Sequence, residues 1–313
     1  MDIVFSKEIK KHKKNNCPIL ALESTILAQG MPYPENYVFA KKSEKICRKK
    51  GVAPATIAVL DGKIHVGLSP MELKRVCQSG NILKLSKRDL PFAVSKRQSG
   101  ATTVSATIWI AYKAGLFVFS TGGIGGVHRM LESNLDISQD LVSLSETPVI
   151  TVSSGAKSIL DLPKTVETLE ALSIPVVGYK TSFFPAFYTR SSGIKIQNTI
   201  KTAKQASLLF LDHLKVGLKS SLLIVNPISK GKEIPKDEID MLINNSLCEA
   251  IKKNIKGKDL TPFLLKKIVQ KTDGKSLSAN IALAEKNISV GAKIARQIYK
   301  HDSLSSNAFR NSV

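Results

Sequence analysis

Residues 148–158 read PVITVSSGAKS, and they set a pattern that the rest of the chain repeats. The apolar run 148–152 predicts a buried strand, and the small residues after it predict a tight turn. A helical pattern then extends from Ser158 to Leu172. Lys157 is therefore expected where a strand ends and a helix begins, which is where open α/β sheets bind their ligands.

The amine of Lys157 is the most reactive group at this position. The positive end of a helix dipole and burial both favour an uncharged amine. An uncharged lysine is a nucleophile that forms a Schiff base with a sugar aldehyde. Binding of an anion, or simple exposure to solvent, also explains a lysine here, and its position alone favours these two roles over the nucleophile.

The segments on either side predict further strands and helices in alternation. Predicted strands cover residues 19–22, 56–60, 63–66, 116–120, 149–152, 175–179 and 222–226, with a hairpin turn at 61–62. Predicted helices cover 36–50, a segment that opens at Ser69 and Pro70, 102–114, and most of the chain after Lys236. This alternation predicts an α/β fold, as a three-layer α/β/α sandwich around a mixed β-sheet.

The chain reads as one domain, because neither an internal repeat nor a clear linker interrupts it. Residues 1–17 form a basic N-terminal segment that is expected to be helical in part. Residues 18–300 form the single domain, and 301–313 are expected to be a flexible tail. A chain of 313 residues is long enough to bury a large core.

Composition narrows the class of protein. No apolar stretch approaches the roughly 20 residues of a membrane-spanning helix, and the N-terminus lacks a signal-peptide core. The four cysteines form neither a CxxC pair nor a cluster with histidine, which argues against a zinc site and a disulfide framework. We therefore expect a cytoplasmic enzyme that does not bind membranes.

The net charge of +21 requires an explanation. Its lysines are dispersed, aromatic residues make up only 6% of the chain, and no nucleic-acid-binding motif is present. We expect a lysine-rich surface with some cations that bind a phosphate group, and no nucleic-acid partner. The alternative, a nucleic-acid-binding protein, predicts strongly salt-dependent binding to RNA or DNA.

Two charged residues stand at predicted strand ends or edges. Glu23 directly follows the strand 19–22, where a carboxyl group can act as a general acid or base. Lys84 has apolar neighbours on both sides and can contact a phosphate or a sugar. Taken singly, each is better explained as a surface residue.

A glycine-rich segment, TGGIGGVHR at residues 121–129, follows another predicted strand. Its exposed backbone N–H groups, with His128 and Arg129, predict a site for a phosphate or carboxylate. The segment is neither a GxGxxG fingerprint nor a P-loop, so no nucleotide cofactor is implied. Close packing of the glycines is the alternative.

Residues 136–140 place three oxygen-bearing side chains, Asp136, Ser138 and Asp140, at alternate positions. Hard oxygen ligands suit Mg²⁺ or Mn²⁺. Leu141 and Thr147 replace the glycine and glutamate of an EF-hand, so a calcium loop is rejected. A helix N-cap explains the segment equally well.

Together these segments resemble one family, the pseudouridine-5′-phosphate glycosidases, which are indigoidine synthase A-like proteins. The matching stretches are 21–26 (ALESTI), 30–32 (GMP), 52–58 (VAPATIA), 88–91 (RDLP), 100–104 (GATTV), 121–129 (TGGIGGVHR), 136–138 (DIS), 155–161 (GAKSILD), 185–187 (PAF), 226–228 (NPI) and 261–265 (TPFLL). Their common order from about residue 18 to 297 is far more specific than any one motif.

The resemblance implies reversible hydrolysis of pseudouridine 5′-phosphate to uracil and ribose 5-phosphate, with Mn²⁺ and a homotrimeric assembly. It implies that Lys157 is the nucleophile, Glu23 the proton donor and Asp136 the metal ligand. It implies substrate contacts at Lys84, Val104, Ser138, Gln139 and Asp140, and it makes His128 and Asn280 further candidates.

The implied reaction explains the lysine. The bond that breaks joins the sugar C1 to the uracil C5, so the oxygen leaving group of a two-carboxylate glycosidase is absent. A lysine joined to C1 forms an iminium ion, which accepts electrons as the bond breaks. Departures from the family pattern at Lys87, where arginine is expected, and at residues 130–134 affect contacts at the rim of the site.

Three other functions compete with this interpretation. An N-glycosidase or a phosphosugar lyase with the same lysine differs only in its substrate. Nucleic-acid binding is the function that the net charge of +21 would favour. A catalytically silent scaffold is disfavoured because Glu23, Asp136 and Lys157 occur together.

Overall fold

The computed structural model describes residues 2–78, 80–129, 136–255 and 257–300. Residues 130–134, where the chain departs from the family pattern, and the tail predicted at 301–313 lie outside these described residues. Within the described residues, no helix is both long enough and apolar enough to span a bilayer.

One mixed sheet holds the eleven strands of the described residues. The strands are β1 (Ile3–Phe5), β2 (Ile19–Leu22), β3 (Ala53–Leu60), β4 (Lys63–Val66), β5 (Leu83–Leu85), β6 (Gly100–Thr102), β7 (Val118–Ser120), β8 (Ile150–Ser153), β9 (Val176–Tyr179), β10 (Asn198–Ile200) and β11 (Leu222–Val225). The main order is β1-β4-β3-β2-β7-β8-β11-β9-β10, and β6 pairs with β3 and β5. All pairs are parallel except those of β3 with β4 and with β6.

Helices cover both faces of this sheet. They are α1 (Lys7–Lys14), α2 (Thr25–Ala28), α3 (Glu35–Arg48), α4 (Pro70–Gln78), α5 (Leu90–Ser95), α6 (Val104–Lys113), α7 (Gln139–Glu146), α8 (Leu162–Ala171), α9 (Ala203–Lys215), α10 (Lys236–Lys252), α11 (Leu260–Lys271) and α12 (Lys275–Ile298). Helix α12 packs on β2, β7 and β8, and it contacts α3 and α9. Helix α6 packs on β2 and β3 and contacts α7. The predicted α/β/α sandwich around a mixed sheet is confirmed.

The central strands carry apolar or small hydroxyl-bearing side chains and no charged residue, because helices cover them on both sides. Strands β2, β7, β8 and β11 are buried at every residue. These strands are parallel neighbours, so their carboxyl ends meet at one edge in the middle of the sheet. This edge positions the candidate site.

The N-terminal segment joins the same sheet. Strand β1 pairs in parallel with β4. Helix α1 follows after the N-cap Ser6, whose hydroxyl accepts a hydrogen bond from the N–H of Ile9. The side chain of Ile9 is fully buried in the core. A partly helical segment was predicted, but strand β1 was not.

The predicted hairpin is confirmed between β3 and β4. Asp61 and Gly62 both have positive φ angles, 50° and 76°. A two-residue turn with two positive φ angles matches the right-handed twist of paired strands, and aspartate followed by glycine is a favoured sequence for it.

Candidate active site

A cavity of about 240 Å³ lies at the carboxyl ends of the central strands. Its lining includes every residue to which the family resemblance gives a role in the site, namely Glu23, Lys84, Val104, His128, Asp136, Ser138, Gln139, Asp140, Lys157 and Asn280. Residues Gly257, Thr261, Pro262 and Leu265 cover the cavity from α11 and the turn before it. The structure thus brings all ten positions together, while their individual roles stay predictions.

Glu23 follows the last residue of β2 and is 8% exposed. The hydroxyl of Thr121, directly after β7, donates a hydrogen bond to its Oε1 atom. Burial raises the pKa of Glu23 to about 6, although the nearby charge of Lys157 and the bond from Thr121 act to lower it. A carboxyl group with this pKa can donate and accept protons near neutral pH.

Lys157 lies in a loop and not at a helix N-terminus. Helix α8 begins at Leu162, after the N-cap Asp161, whose side chain accepts a hydrogen bond of 3.0 Å from the N–H of Lys164. The N–H of Asp161 donates to the carbonyl of Val127 at 2.9 Å. These bonds fix residues 158–161 outside the helix, so the predicted helix start at Ser158 is wrong.

The helix dipole therefore does not explain the placement of Lys157. Its N–H instead donates to the carbonyl of Ile124 at 3.1 Å, and its carbonyl accepts from the N–H of Leu160 at 3.0 Å. The backbone of Lys157 is thus fixed between the glycine-rich segment and its own turn. Its half-buried side chain shares the cavity with Glu23.

Lys84 brings a second cation to the cavity from β5. Burial and the charge of Lys157 lower the pKa of Lys84, while Asp140 and Glu23 act in the opposite direction. Two lysines beside a buried carboxyl group make this end of the cavity suitable for an anionic group.

The glycine-rich segment does not form the predicted anion cradle at three of its N–H groups. Ile124 donates to the carbonyl of Gly155 at 3.0 Å, Gly125 to Asp140 Oδ2 at 2.8 Å, and Val127 to Thr165 Oγ1 at 3.0 Å. Protein acceptors already occupy these donors, so the prediction is wrong for them.

Close packing accounts for glycine at these positions. A Cβ atom at Gly125 would lie 2.2 Å from the hydroxyl oxygen of Ser138, and one at Gly123 would lie 2.6 Å from the ring of Phe187. Both distances are too short for any side chain. The alternative considered for this segment, a turn that permits close packing, therefore fits the structure better.

Asp140 connects two parts of the site. Its Oδ1 atom accepts a hydrogen bond of 2.9 Å from the N–H of Ser105 in α6, and its Oδ2 atom accepts the bond from Gly125. The Asp140 side chain is buried, and Ser138 caps α7 through a 3.2 Å bond from the N–H of Asp140. The Asp140 carboxylate thus holds the backbone of Ser105 and Gly125 in place. Its direct contact with substrate stays a prediction.

Arg129 does not serve the predicted anion site, because protein groups surround its guanidinium. It donates to the carbonyls of Ser158 at 2.9 Å and Leu160 at 3.3 Å. It also donates to Asp240 at 3.2 Å and Asn244 at 3.1 Å on α10. Arg129 thus joins the turn after Lys157 to α10.

His128 and Asp136 form the part of the cavity that suits a metal ion. His128 Nε2 lies 4.0 Å from Asp136 Oδ2, and burial lowers the pKa of His128. Across the described ranges, no three side chains of histidine, cysteine, aspartate or glutamate form a metal-binding group. The residues present therefore fit an ion that keeps most of its water ligands and contacts one carboxylate.

Sequence reasoning missed residues that support the strand ends. Asn287, on α12, donates to the carbonyl of Thr121 at 2.9 Å and accepts from the side chain of Asn226 at 2.9 Å. It thereby joins the ends of β7 and β11, and it also donates to Ser154 Oγ after β8 at 3.1 Å. A buried asparagine within an apolar helix face was the available signal.

The chain is similar to known proteins along most of its length. The family model described as "Indigoidine synthase A like protein" matches residues 8–297. Proteins named pseudouridine-5′-phosphate glycosidase from Staphylococcus aureus (strain MW2) and Caldanaerobacter subterraneus are 47% and 48% identical over 298 residues. Each alignment covers 95% of this chain and 97% of the relative.

Two solved structures have the same fold. An indigoidine synthase A-like protein from Thermotoga maritima is 37% identical with a TM-score of 0.87, covering 95% of this chain and 96% of that one. The prealnumycin C-glycosynthase AlnA, in complex with ribulose 5-phosphate, is 32% identical with a TM-score of 0.88. That match covers 96% of this chain and 98% of AlnA.

Proposed function

We propose, because the chain belongs to the indigoidine synthase A-like family, that it hydrolyses the C–C glycosidic bond of pseudouridine 5′-phosphate. The products are uracil and ribose 5-phosphate. The observation that carries the proposal is the meeting of Glu23 and Lys157 in one cavity, with the pKa of Glu23 raised by burial to about 6. The names of the relatives support the choice of substrate.

The first chemical step opens the sugar ring. The Lys157 amine attacks C1 of the ribose, the bond from C1 to the ring oxygen breaks, and Glu23 gives its proton to that oxygen. The amine then returns a proton to the Glu23 carboxylate and remains bound to C1. A carboxyl group whose pKa is about 6 is suited to this proton transfer, because it is partly protonated near neutral pH.

The second step breaks the carbon–carbon bond. The nitrogen lone pair forms a C=N bond to C1, and the electron pair of the broken bond moves to C5 of uracil, which takes up a proton from the reprotonated Glu23. Water then hydrolyses the iminium ion, releasing ribose 5-phosphate and free Lys157. The net reaction consumes one water molecule.

The remaining polar groups of the cavity provide recognition. Lys84 offers a cation for the phosphate. Asn280 is buried, and its side-chain oxygen lacks a hydrogen-bond partner in the part of the chain that the structure describes. A uracil N–H group would supply that partner, since buried polar atoms are almost always hydrogen-bonded. Val104, Ser138, Gln139 and Asp140 are further proposed contacts.

Asp136 would hold a Mn²⁺ ion beside His128, with water as the other ligands. When bound, the ion would supply positive charge that orients water and substrate oxygens. Calorimetric titration of the protein with Mn²⁺ tests this part, since Asp136→Asn should abolish the heat of binding. Equal binding by this variant would contradict the assignment.

The proposal extends to a homotrimer in the cytoplasm. An apolar groove lined by Leu90, Pro91, Val94, Trp109 and Val142 lies beside the cavity, and Arg88 and Gln139 line both. Burial of this groove by a second copy would place the subunit contact next to the site. Light scattering should give three times the chain mass of 34.0 kDa, and a monomer would contradict the trimer.

A second candidate is the reverse reaction, formation of the C–C bond. The likeness to AlnA, a C-glycosynthase, supports it. Incubation of uracil with ribose 5-phosphate would yield pseudouridine 5′-phosphate if this direction is accessible.

The decisive experiment is incubation of the protein with pseudouridine 5′-phosphate and Mn²⁺, followed by chromatography for uracil. Borohydride added during turnover should reduce the iminium ion and attach the sugar phosphate to Lys157, as seen by mass spectrometry. Lys157→Ala should lose both signals, with Lys215→Ala, a change at an exposed residue of α9, as the matched control. Uracil release by Lys157→Ala at the wild-type rate would exclude the covalent mechanism.

A further inference from the structure

A second, much smaller cavity of about 20 Å³ adjoins the substrate cavity. The two cavities share the lining residues Glu23, Ile26, Thr121 and Gly122. Glu23 therefore lies in the wall between them. The remaining lining of the small cavity comes from β2, α2, α3, β3, β7 and α12.

Two serine hydroxyl groups without partners face this cavity. Ser43, on α3, is 3% exposed, and Ser120, at the end of β7, is 2% exposed. Neither Oγ atom has a hydrogen-bond partner among the residues that the structure describes. Buried hydroxyl groups are almost always hydrogen-bonded to protein or to water. Two such hydroxyl groups in one cavity therefore indicate that a small molecule between them supplies the hydrogen bonds.

The size and lining of the cavity identify that partner. A cavity holds one water molecule when about 10–15 Å³ is available and two to four polar groups line it. Its other lining side chains are apolar or hydroxyl-bearing, and Glu23 is its one ionisable residue. A metal ion would need several more oxygen ligands than a single carboxylate and two or three hydroxyl groups provide.

We propose that this cavity binds one water molecule, which bridges Ser43 and Ser120 and donates a hydrogen bond to the carboxyl group of Glu23. Part of this inference, the effect on catalysis, rests on the proposed function. The water hydrates the buried acid from the side of α3 and α12. The substrate cavity on the other side presents Lys157, Lys84 and Asp140, the charged groups that act on Glu23.

The water has a defined electrostatic effect. A hydrogen bond donated to a carboxylate stabilises the charged form and so lowers its pKa. The water thus opposes the effect of burial on Glu23, and it fixes the carboxyl group without occupying the substrate cavity. Ser43 and Ser120 are on this view positioning residues that act through the water.

A crystal structure of the wild-type protein tests the site directly. We expect one ordered water within hydrogen-bond distance of both serine Oγ atoms, and no such water in Ser43→Ala/Ser120→Ala. An empty wild-type cavity would overturn the proposal. This measurement needs no turnover, so its outcome is independent of the proposed reaction.

The pH dependence of uracil release tests the effect on Glu23. The protonated fraction of Glu23 falls above its pKa, so the plot of log activity against pH changes slope at that pH. Without the water this pKa rises, and Ser43→Ala or Ser120→Ala should raise the pH of the slope change by about 0.5. Ser143→Ala is the matched control, because this buried hydroxyl also lacks a partner in the described part of the chain but does not line the small cavity.

An unchanged profile in both serine variants, or an equal change in the control, would overturn the catalytic effect. A wild-type protein that releases no uracil at any pH would instead overturn the proposed function. In that case the crystal structure still decides whether the water is bound.

Discussion

The two sides of the cavity are held in place by different kinds of interaction. On the strand-end side, buried groups are hydrogen-bonded to other protein groups: Glu23 to the hydroxyl of Thr121, and Asp140 and Asn287 to backbone. On the cover side, Glu249 of α10 forms partly exposed ion pairs with Lys267 at 2.9 Å and Lys271 at 2.6 Å of α11.

This difference indicates that the strand-end side positions the catalytic groups and that the cover side controls access to the cavity. Buried, saturated hydrogen bonds fix groups closely and are destabilising to break. Exposed ion pairs contribute little and allow local opening. We therefore expect changes on the strand-end side to affect turnover and stability strongly, and changes on the cover side to affect them weakly.

The largest effect is expected for Glu23→Gln on the strand-end side. Loss of the proton donor should lower kcat by about 10²–10⁴-fold, the usual range for a general acid. The thermal midpoint should not fall, because a neutral side chain of the same shape replaces a buried acid. Uracil release and calorimetry measure the two effects.

Glu44→Gln is the matched control, because Glu44 is also buried and burial also raises its pKa, but it lies on α3 outside the cavity. A plot of the logarithm of wild-type activity against pH should also lose one unit of slope near pH 6, because the protonated fraction of Glu23 falls about tenfold for each rise of 1 in pH above its pKa of about 6. A Glu23→Gln enzyme that keeps both the rate and this pH dependence would remove Glu23 from the mechanism.

The second prediction concerns Asp140→Asn. An amide cannot accept both backbone hydrogen bonds, so the N–H of either Gly125 or Ser105 loses its acceptor. We expect a loss of about 2–3 kcal/mol in the free energy of unfolding, measured by urea titration. Asp212→Asn, at an exposed ion pair on α9, should unfold at the wild-type urea concentration.

Arg129 connects the two sides, and Arg129→Lys should have an intermediate effect. One ammonium group cannot satisfy four acceptors spread over two segments. The turn after Lys157 should be less well positioned, lowering kcat by about tenfold with little change in KM.

Asn244→Ala supplies the comparison for Arg129, because it removes only a contact with α10. Its kcat should stay within about twofold of wild type, since the bonds from Arg129 to Ser158 and Leu160 remain. If both variants lost turnover equally, the cover side would matter as much to chemistry as the strand-end side.

The smallest effect is expected for Glu249→Gln on the cover side. Its ion pairs with Lys267 and Lys271 are partly exposed and screened by solvent, so kcat should stay within about twofold of wild type. Any change should appear in KM at low salt. A large fall in kcat would show that the cover is part of the chemical machinery.

Much of the fold could be predicted because its central strands are continuous apolar runs. Strands β2, β7, β8, β9 and β11 all lie within a residue or two of their predicted bounds. Strands β1, β5, β6 and β10 were missed because each has only three residues and lies outside a longer apolar run. Strand β7 is equally short, but it belongs to the apolar run 116–120.

The site was predictable to the extent that strand ends converge. Glu23 could be placed because a parallel strand directly precedes it. The hydrogen-bond partners of Arg129 and of the Gly125 N–H could not be predicted, because they lie 15 or more residues away along the chain. The start of α8 was misplaced because Asp161, and not Ser158, provides the N-cap.

The position of Asn287 near the end of the chain also affects when the site can form during synthesis. Helix α12 follows every strand in the chain, yet its amide joins the ends of β7 and β11 and its apolar face covers β2, β7 and β8. During synthesis on the ribosome, the surface of β2, β7 and β8 that packs against α12 stays exposed until this helix emerges. The nascent chain therefore cannot complete the site until synthesis is nearly finished. Until then its apolar strands are exposed to aggregation, and α12 protects them only when it packs on the sheet.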